Sequence, residues 1–207
     1  MRGIEAGSYY SYLTEGCRLC REGAKLVLFI TGLCNNSCFY CPISEEKRGK
    51  DVIFANEREV NNINDFIEEA NLMDAEGIAI TGGEPLLRLE RVLEFLKLSN
   101  SLGLHSHLYT AIPAKERVIK KLSKYLDEMR FHPVELRNVG RYEKPLILAN
   151  KHGIEVGFEI PAIEYNYQIV KILNKHDAFL NLNEVECSPT NYKALISRNF
   201  KIKDYYV

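Results

Sequence analysis

The 207-residue sequence is short of several things, and each shortage narrows its class. It carries almost no net charge: 27 Lys and Arg face 28 Asp and Glu, leaving −1 at pH 7. No overall field therefore draws it to nucleic acid or to an anionic bilayer, and only a local basic patch could do so. It lacks a long apolar run; the longest, residues 26–30, is far too short to cross a bilayer. The opening "MRGIEAGSYYSYLTEGC" has no basic segment followed by an apolar stretch, which argues against a secretory leader and for a cytoplasmic protein with no membrane partner. Repeats, low-complexity tracts and Pro/Gly-rich linkers are also missing, so no boundary divides the main body.

What is present alternates. Short apolar runs at 25–31, 77–81, 105–111, 129–132, 154–160 and 179–185 predict strands. Helical patterns fall between them, near 59–74, 88–101, 114–125, 143–152 and 167–176. Gly77, Gly103 and Gly153 stand where a left-handed helix end or turn is wanted. Six such units predict parallel strands joined by right-handed crossovers. In "IEVGFEIP", Ile154, Val156, Phe158 and Ile160 share one face while Glu155, Gly157 and Glu159 share the other. The strands around Met129 and Leu180 alternate in the same way. A doubly wound sheet buries both faces in hydrocarbon. One apolar and one polar face instead predict an α/β fold of the partial (β/α)6 barrel type, with parallel strands, helices outside and a lumen open to a polar ligand. The expected division is an N-terminal segment (1–24), the barrel (25–187) and a C-terminal tail (188–207).

The six cysteines are unevenly spread, and three fall within eight residues of "LFITGLCNNSCFYCPIS": Cys34, Cys38 and Cys41. Where thiols stay reduced, such a group reads as metal ligands or catalytic groups. The loop follows the first strand, at the carboxyl end where βα barrels assemble their sites. An irregular loop of this length can wrap a small object and aim three thiolates at three of its corners. A cubane iron–sulfur cluster has four corners, so three ligands leave one iron open. A structural zinc site wants four protein ligands, and the fourth is missing locally. Asn35, Asn36 and Ser37 suit a tight loop whose amides can donate to cluster sulfurs.

The stretch "CNNSCFYC" resembles the cluster loop of the radical S-adenosylmethionine (radical SAM) superfamily. "ITGGEPLLR" is similar to that family's Gly-Gly-Glu-Pro element at the end of strand two, and the likeness runs over all six units. Within the superfamily the short form looks nearest to proteins related to pyruvate formate-lyase activating enzyme. The resemblance implies that Cys34, Cys38 and Cys41 bind a [4Fe-4S] cluster whose open iron chelates SAM. It implies reductive cleavage to a 5′-deoxyadenosyl radical that abstracts hydrogen from a substrate. It further implies an electron donor such as ferredoxin or flavodoxin. Gly82 and Gly83 would let backbone approach the methionyl part, beside Glu84, and Tyr40 would pack near the adenine. The substrate stays open between a polypeptide such as a glycyl-radical enzyme, an RNA nucleoside and a small metabolite.

Other candidates come from the strand ends. Thr110, His132, Glu159 and Asn183 could meet the ribose or carboxylate of SAM, or the substrate; turn and core roles are their plain alternatives. His105 and His107 share a strand face but sit at the strand's beginning and read as structural. Arg130, Arg137 and Arg141 could meet a phosphate or carboxylate. Cys17 and Cys20, in "GCRLCREG", make half a second metal site for zinc or another iron–sulfur cluster. Cys187 could join them only across a strand length of roughly 17–20 Å. The rival to an enzyme is a non-catalytic zinc- or iron–sulfur-binding module using these cysteines.

Overall fold

The computed structural model describes residues 2–3 and 9–202. A small antiparallel ribbon joins β1 (Arg2–Gly3) to β2 (Tyr9–Tyr10). Then come α1 (Glu15–Glu22), β3 (Lys25–Phe29), the hairpin β4 (Phe54–Ala55) and β5 (Arg58–Glu59), and α2 (Ile63–Leu72). The alternation proper continues through β6 (Gly77–Thr81), α3 (Leu89–Ser101), β7 (His105–Thr110), α4 (Glu116–Leu122) and β8 (Glu128–Phe131). It ends with α5 (Glu143–Lys151), β9 (Glu155–Pro161), α6 (Tyr167–Lys175), β10 (Phe179–Asn183) and the short α7 (Tyr192–Ile196).

The main sheet runs β10-β9-β8-β7-β6-β3-β4-β5. Its six long strands are parallel and stand in chain order, each paired with the one before it. A doubly wound sheet reverses its direction of growth at a switch point. Here the order never reverses, so right-handed crossovers put the connecting helices α2–α6 on one face. That face holds the core: Met129, Phe131, Val156, Phe158 and Ile160 pack with Val92, Leu96, Ile119, Leu146, Ile169 and Leu173. The opposite face carries Arg130, Glu159, Asn181 and Asn183, which bond to one another as a polar lumen. The fold is the expected partial barrel.

Local chemistry explains where the elements depart from expectation. The second helix begins at Ile63, not at 59, because Asn62 and Asp65 form a capping box there. Arg58 and Glu59 are instead spent on the hairpin that extends the sheet antiparallel beyond β3. Val60 is buried, as its period suggested, but as the residue leaving β5. Gly103 and Gly153 do take positive φ (72° and 79°), whereas Asp74 (φ 49°) and not Gly77 makes the left-handed turn after α2.

An element the sequence reading missed is α1, capped by Thr14 and ended by left-handed Gly23. It lies across the amino ends of the strands. Tyr12 donates to Glu155 at 2.7 Å and the Gly16 amide donates to Glu128 at 3.1 Å. A Cβ on Gly16 would come within 2.5 Å of that carboxylate and 2.6 Å of His107, so only glycine fits. The expected knuckle of Cys17 and Cys20 is therefore a helix that floors the barrel.

The floor is dense in charge. Lys25 is buried, with Nζ 2.8 Å from Nδ1 of His105. Burial lowers its pKa from 10.5 to about 8, against the pull of Cys20 and Glu128 and with the help of Arg130. Between about pH 8 and 10.5 the unfolded chain holds a proton that the folded chain has released, so this group makes stability rise with pH across that window. Thermal unfolding of the apo chain should show it as a difference: wild type gains on a Lys25→Met variant as pH climbs through the window. A constant difference between the two would refute the shift.

Candidate functional site

The 32–53 segment that leaves β3 is closed at its root before it does anything else. Gly32 N–H donates to Lys50 at 2.8 Å, and Gly49 N–H returns to Gly32 at 2.8 Å. A side chain on Gly32 would collide with the Lys47 carbonyl. Asp51 pins the root further, accepting from Thr31 (2.8 Å), Arg88 (2.9 Å) and Arg91 (2.7 Å). Those partners, Arg91 foremost, hold its carboxyl well below the usual carboxylate range.

Within this closed loop Cys34 is exposed and its sulfur accepts the Asn36 amide at 3.4 Å. Cys38 and Cys41 are half-buried and belong to one turn, closed by Cys41 N–H donating to the Cys38 carbonyl at 3.2 Å. Burial pushes the Cys38 thiol up, and the nearby sulfurs of Cys41 and Cys34 add to this. All three cysteines line one cavity of about 750 Å³. Among the described residues no three His, Cys, Asp or Glu side chains converge as they would on a single ion.

The Gly-Gly-Glu-Pro turn forms the next wall. Gly83 N–H donates to Thr31 at 2.7 Å and Glu84 N–H to Leu33 at 2.8 Å, so this turn is zipped onto the start of the cysteine loop. Gly82 has φ 140°, and its Cβ would fall 2.5 Å from the Thr31 carbonyl; one on Gly83 would strike that of Leu33. The two glycines are required by the neighbouring backbone itself, a reason that spacing alone did not reveal. Glu84 is buried and fully engaged. It accepts from Leu86 N–H (3.0 Å), the Thr110 hydroxyl (2.7 Å) and Ala111 N–H (2.8 Å), joining the ends of β6 and β7. Burial raises its pKa while those donors resist.

The remaining predicted residues complete the ring: Thr110, His132, Glu159 and Asn183 line the same cavity. Nδ1 of His132 lies 2.9 Å from the Glu159 carbonyl oxygen, which can only accept, so Nδ1 carries the proton. In the neutral ring, favoured by burial, Nε2 accepts from the Tyr40 hydroxyl at 2.9 Å. Glu159 takes Arg130 (2.5 Å), Asn181 (2.9 Å) and Asn183 (2.6 Å).

Arg130 is the residue whose role the sequence reading misplaced. It meets carboxylates, but those of the protein: Glu128 and Glu159, each at 2.5 Å, with all three side chains at most 9% exposed. It also donates to Tyr109 and, at 3.3 Å, to Thr14 and the Cys17 sulfur. Cys17 is thus occupied in the floor, Cys20 reaches the cavity from below, and Cys187 is exposed and outside its lining. His107 is buried with neither ring nitrogen bonded, edge-on to Tyr109 at 5.0 Å, and burial holds it neutral. Arg141 and Arg137 stay near the surface, as expected.

A singly wound, open barrel with a cysteine loop on its first strand and a glycine turn on its second defines a cofactor-binding barrel class. The chain belongs to the radical SAM superfamily, whose family model matches residues 28–190. It is 44% identical over 210 residues to a Methanocaldococcus jannaschii protein named as a glycyl-radical enzyme activating enzyme, a match covering 94% of this chain and 56% of that one. It is 28% identical over 182 residues to the GTP 3′,8-cyclase of Psychromonas ingrahamii, covering 82% and 51%. The chain therefore spans about half the length of these relatives. Among solved structures, Streptococcus suis SuiB shares the fold: bound to S-adenosylmethionine, it gives a TM-score of 0.59 at 15% identity over 83% of this chain and 44% of that one. SuiB bound to its precursor peptide SuiA gives 0.59 at 14% identity, over 82% and 42%.

Proposed function

We propose that this chain is the catalytic barrel of a radical SAM enzyme that acts on a polypeptide, of the glycyl-radical enzyme activating kind. The observation that carries the reading is convergence. Three thiols and a Gly-Gly-Glu-Pro turn, from successive strands, line one cavity whose volume of about 750 Å³ lies within the range of small-molecule sites.

The donor set suits the cofactor. Three soft thiolates on an irregular loop match the ligands of an iron–sulfur cluster, and all three line the one cavity. Cys34, Cys38 and Cys41 would hold the cluster. When bound and reduced, a [4Fe-4S] cluster supplies the electron that splits SAM to methionine and a 5′-deoxyadenosyl radical, which takes hydrogen from the substrate. Gly82, Gly83 and Glu84 would border the methionyl part; Tyr40, fixed by His132, would border the adenine. Thr110, Glu159 and Asn183 would face the rest of SAM or the substrate. A ferredoxin or flavodoxin would deliver the electron in the cytoplasm, where thiols stay reduced. No helix among the described residues is long and apolar enough to cross a membrane.

The polypeptide reading draws on the name of the M. jannaschii relative. The test is anaerobic reconstitution with iron and sulfide, reduction with dithionite, and measurement of 5′-deoxyadenosine from SAM. Deuterium should pass into that product from a glycyl-radical enzyme labelled at its glycine Cα. A colourless protein holding one tight zinc and leaving SAM intact would establish the binding-module rival. Cleavage of SAM without transfer from any polypeptide would move the substrate elsewhere.

A further inference from the structure

The half-site made by Cys38 and Cys41 is held from a place the motif does not include. Asn191, just ahead of α7, is 1% exposed, and its side-chain amide spends every polar atom on backbone. Nδ2 donates to the Tyr40 carbonyl at 2.9 Å and to the Glu186 carbonyl at 2.8 Å, while Oδ1 accepts the Ser188 N–H at 2.8 Å. The Tyr40 carbonyl belongs to the same peptide group as the Cys41 N–H, which donates to Cys38. That peptide plane is therefore bonded on both edges, and its orientation fixes the turn that presents Cys38 and Cys41. The side chain of Tyr40 is held independently by His132 at 2.9 Å. Alongside, Arg198 stacks on Phe39 at 4.4 Å and Phe200 meets the same ring at 6.0 Å. Residues 186–200 thus form a clamp over the Cys38–Cys41 turn. Cys34, exposed and bonded only within its own loop, lies outside that turn.

We infer that Asn191 is a positioning residue for the cofactor loop: it sets the Tyr40–Cys41 peptide so that two of the three thiols stand ready before any cofactor arrives. The inference builds on the proposed role of the loop, but the hydrogen bonds it rests on are those of the chain alone. Asn191→Asp is the informative change. It keeps the oxygen that accepts from Ser188, so the segment's own turn survives. It replaces both donors with acceptors that face two carbonyl oxygens in a buried place, which is costly. Leu195→Ala is the companion, since it removes the segment's buried apolar side chain (2% exposed) and leaves the amide intact.

Hydrogen exchange on the apo chain reads the effect. Asn191→Asp should speed exchange across 38–43 by about tenfold with the barrel strands unchanged, and Leu195→Ala should loosen 192–200 with less effect on 38–43. In reconstituted protein, Asn191→Asp should also let an iron chelator strip the cluster about tenfold faster than wild type. Unchanged exchange at 38–43 in the Asp variant would overturn the inference. So would an equal effect there of Leu195→Ala, which would assign the hold to bulk docking of the segment. Because the exchange readout needs no cofactor, a chain that never cleaves SAM would fail the functional proposal and leave this one standing or falling on its own data.

Discussion

Changing any one of Cys34, Cys38 or Cys41 to Ala should leave the reconstituted protein unable to release 5′-deoxyadenosine above the protein-free control. Each change removes one of the three thiol donors that the loop brings to the cavity. Outer-shell changes at metal sites typically cost about 10–100-fold, and loss of a ligand should exceed that. Iron content should fall in parallel, well below the ~4 atoms per chain of a filled cluster. Cys187→Ser is the control, since that thiol is exposed and does not line the cavity; it should keep both iron and turnover. A single-cysteine variant that still cleaves SAM at a tenth of the wild-type rate would end the assignment.

The second large effect is on stability, and it lies below the site. Arg130→Met should lower the unfolding free energy of the apo chain by about 3–5 kcal/mol, because Glu128 and Glu159 would be left buried without their shared cation. At about 2–4 °C per kcal/mol for a chain of this size, the melting temperature should drop by roughly 6–20 °C. The loss belongs to the stranded charges more than to the ion pairs themselves. Adding Glu128→Gln and Glu159→Gln to the same variant should therefore recover much of it. If the triple variant melts no higher than Arg130→Met alone, lost packing of the guanidinium and not stranded charge explains the drop.

Much of this arrangement was readable from residue order because the information was local. Alternation at 154–160 named the core and lumen faces, and the core residues Val156, Phe158 and Ile160 fall where that pattern put them. The cysteine spacing and the Gly-Gly-Glu-Pro turn marked strand ends that the fold brings to one cavity. What stayed hidden depends on partners far along the chain. The partner of Asn191 is Tyr40, 151 positions away, and Gly16 meets Glu128 across 112. Nothing in the neighbourhood of "SPTNYKAL" announces a buried amide. Cys17 and Cys20 could be placed from their own surroundings. Their spacing copies a metal knuckle, and Thr14 and Gly23 around them are helix caps that place both thiols on α1.

The strand order bears on how the molecule is made. Each parallel strand pairs with the one synthesised before it, so a nascent chain can lay down its sheet one unit at a time without waiting for distant partners. The clamp at 186–200 leaves the ribosome well after the cysteine loop, since Asn191 follows Tyr40 by 151 positions. During translation the Cys38–Cys41 turn therefore stands open, and the latch arrives behind it. Delivery of iron and sulfide to a ribosome-held chain would meet a looser loop than delivery to the finished protein.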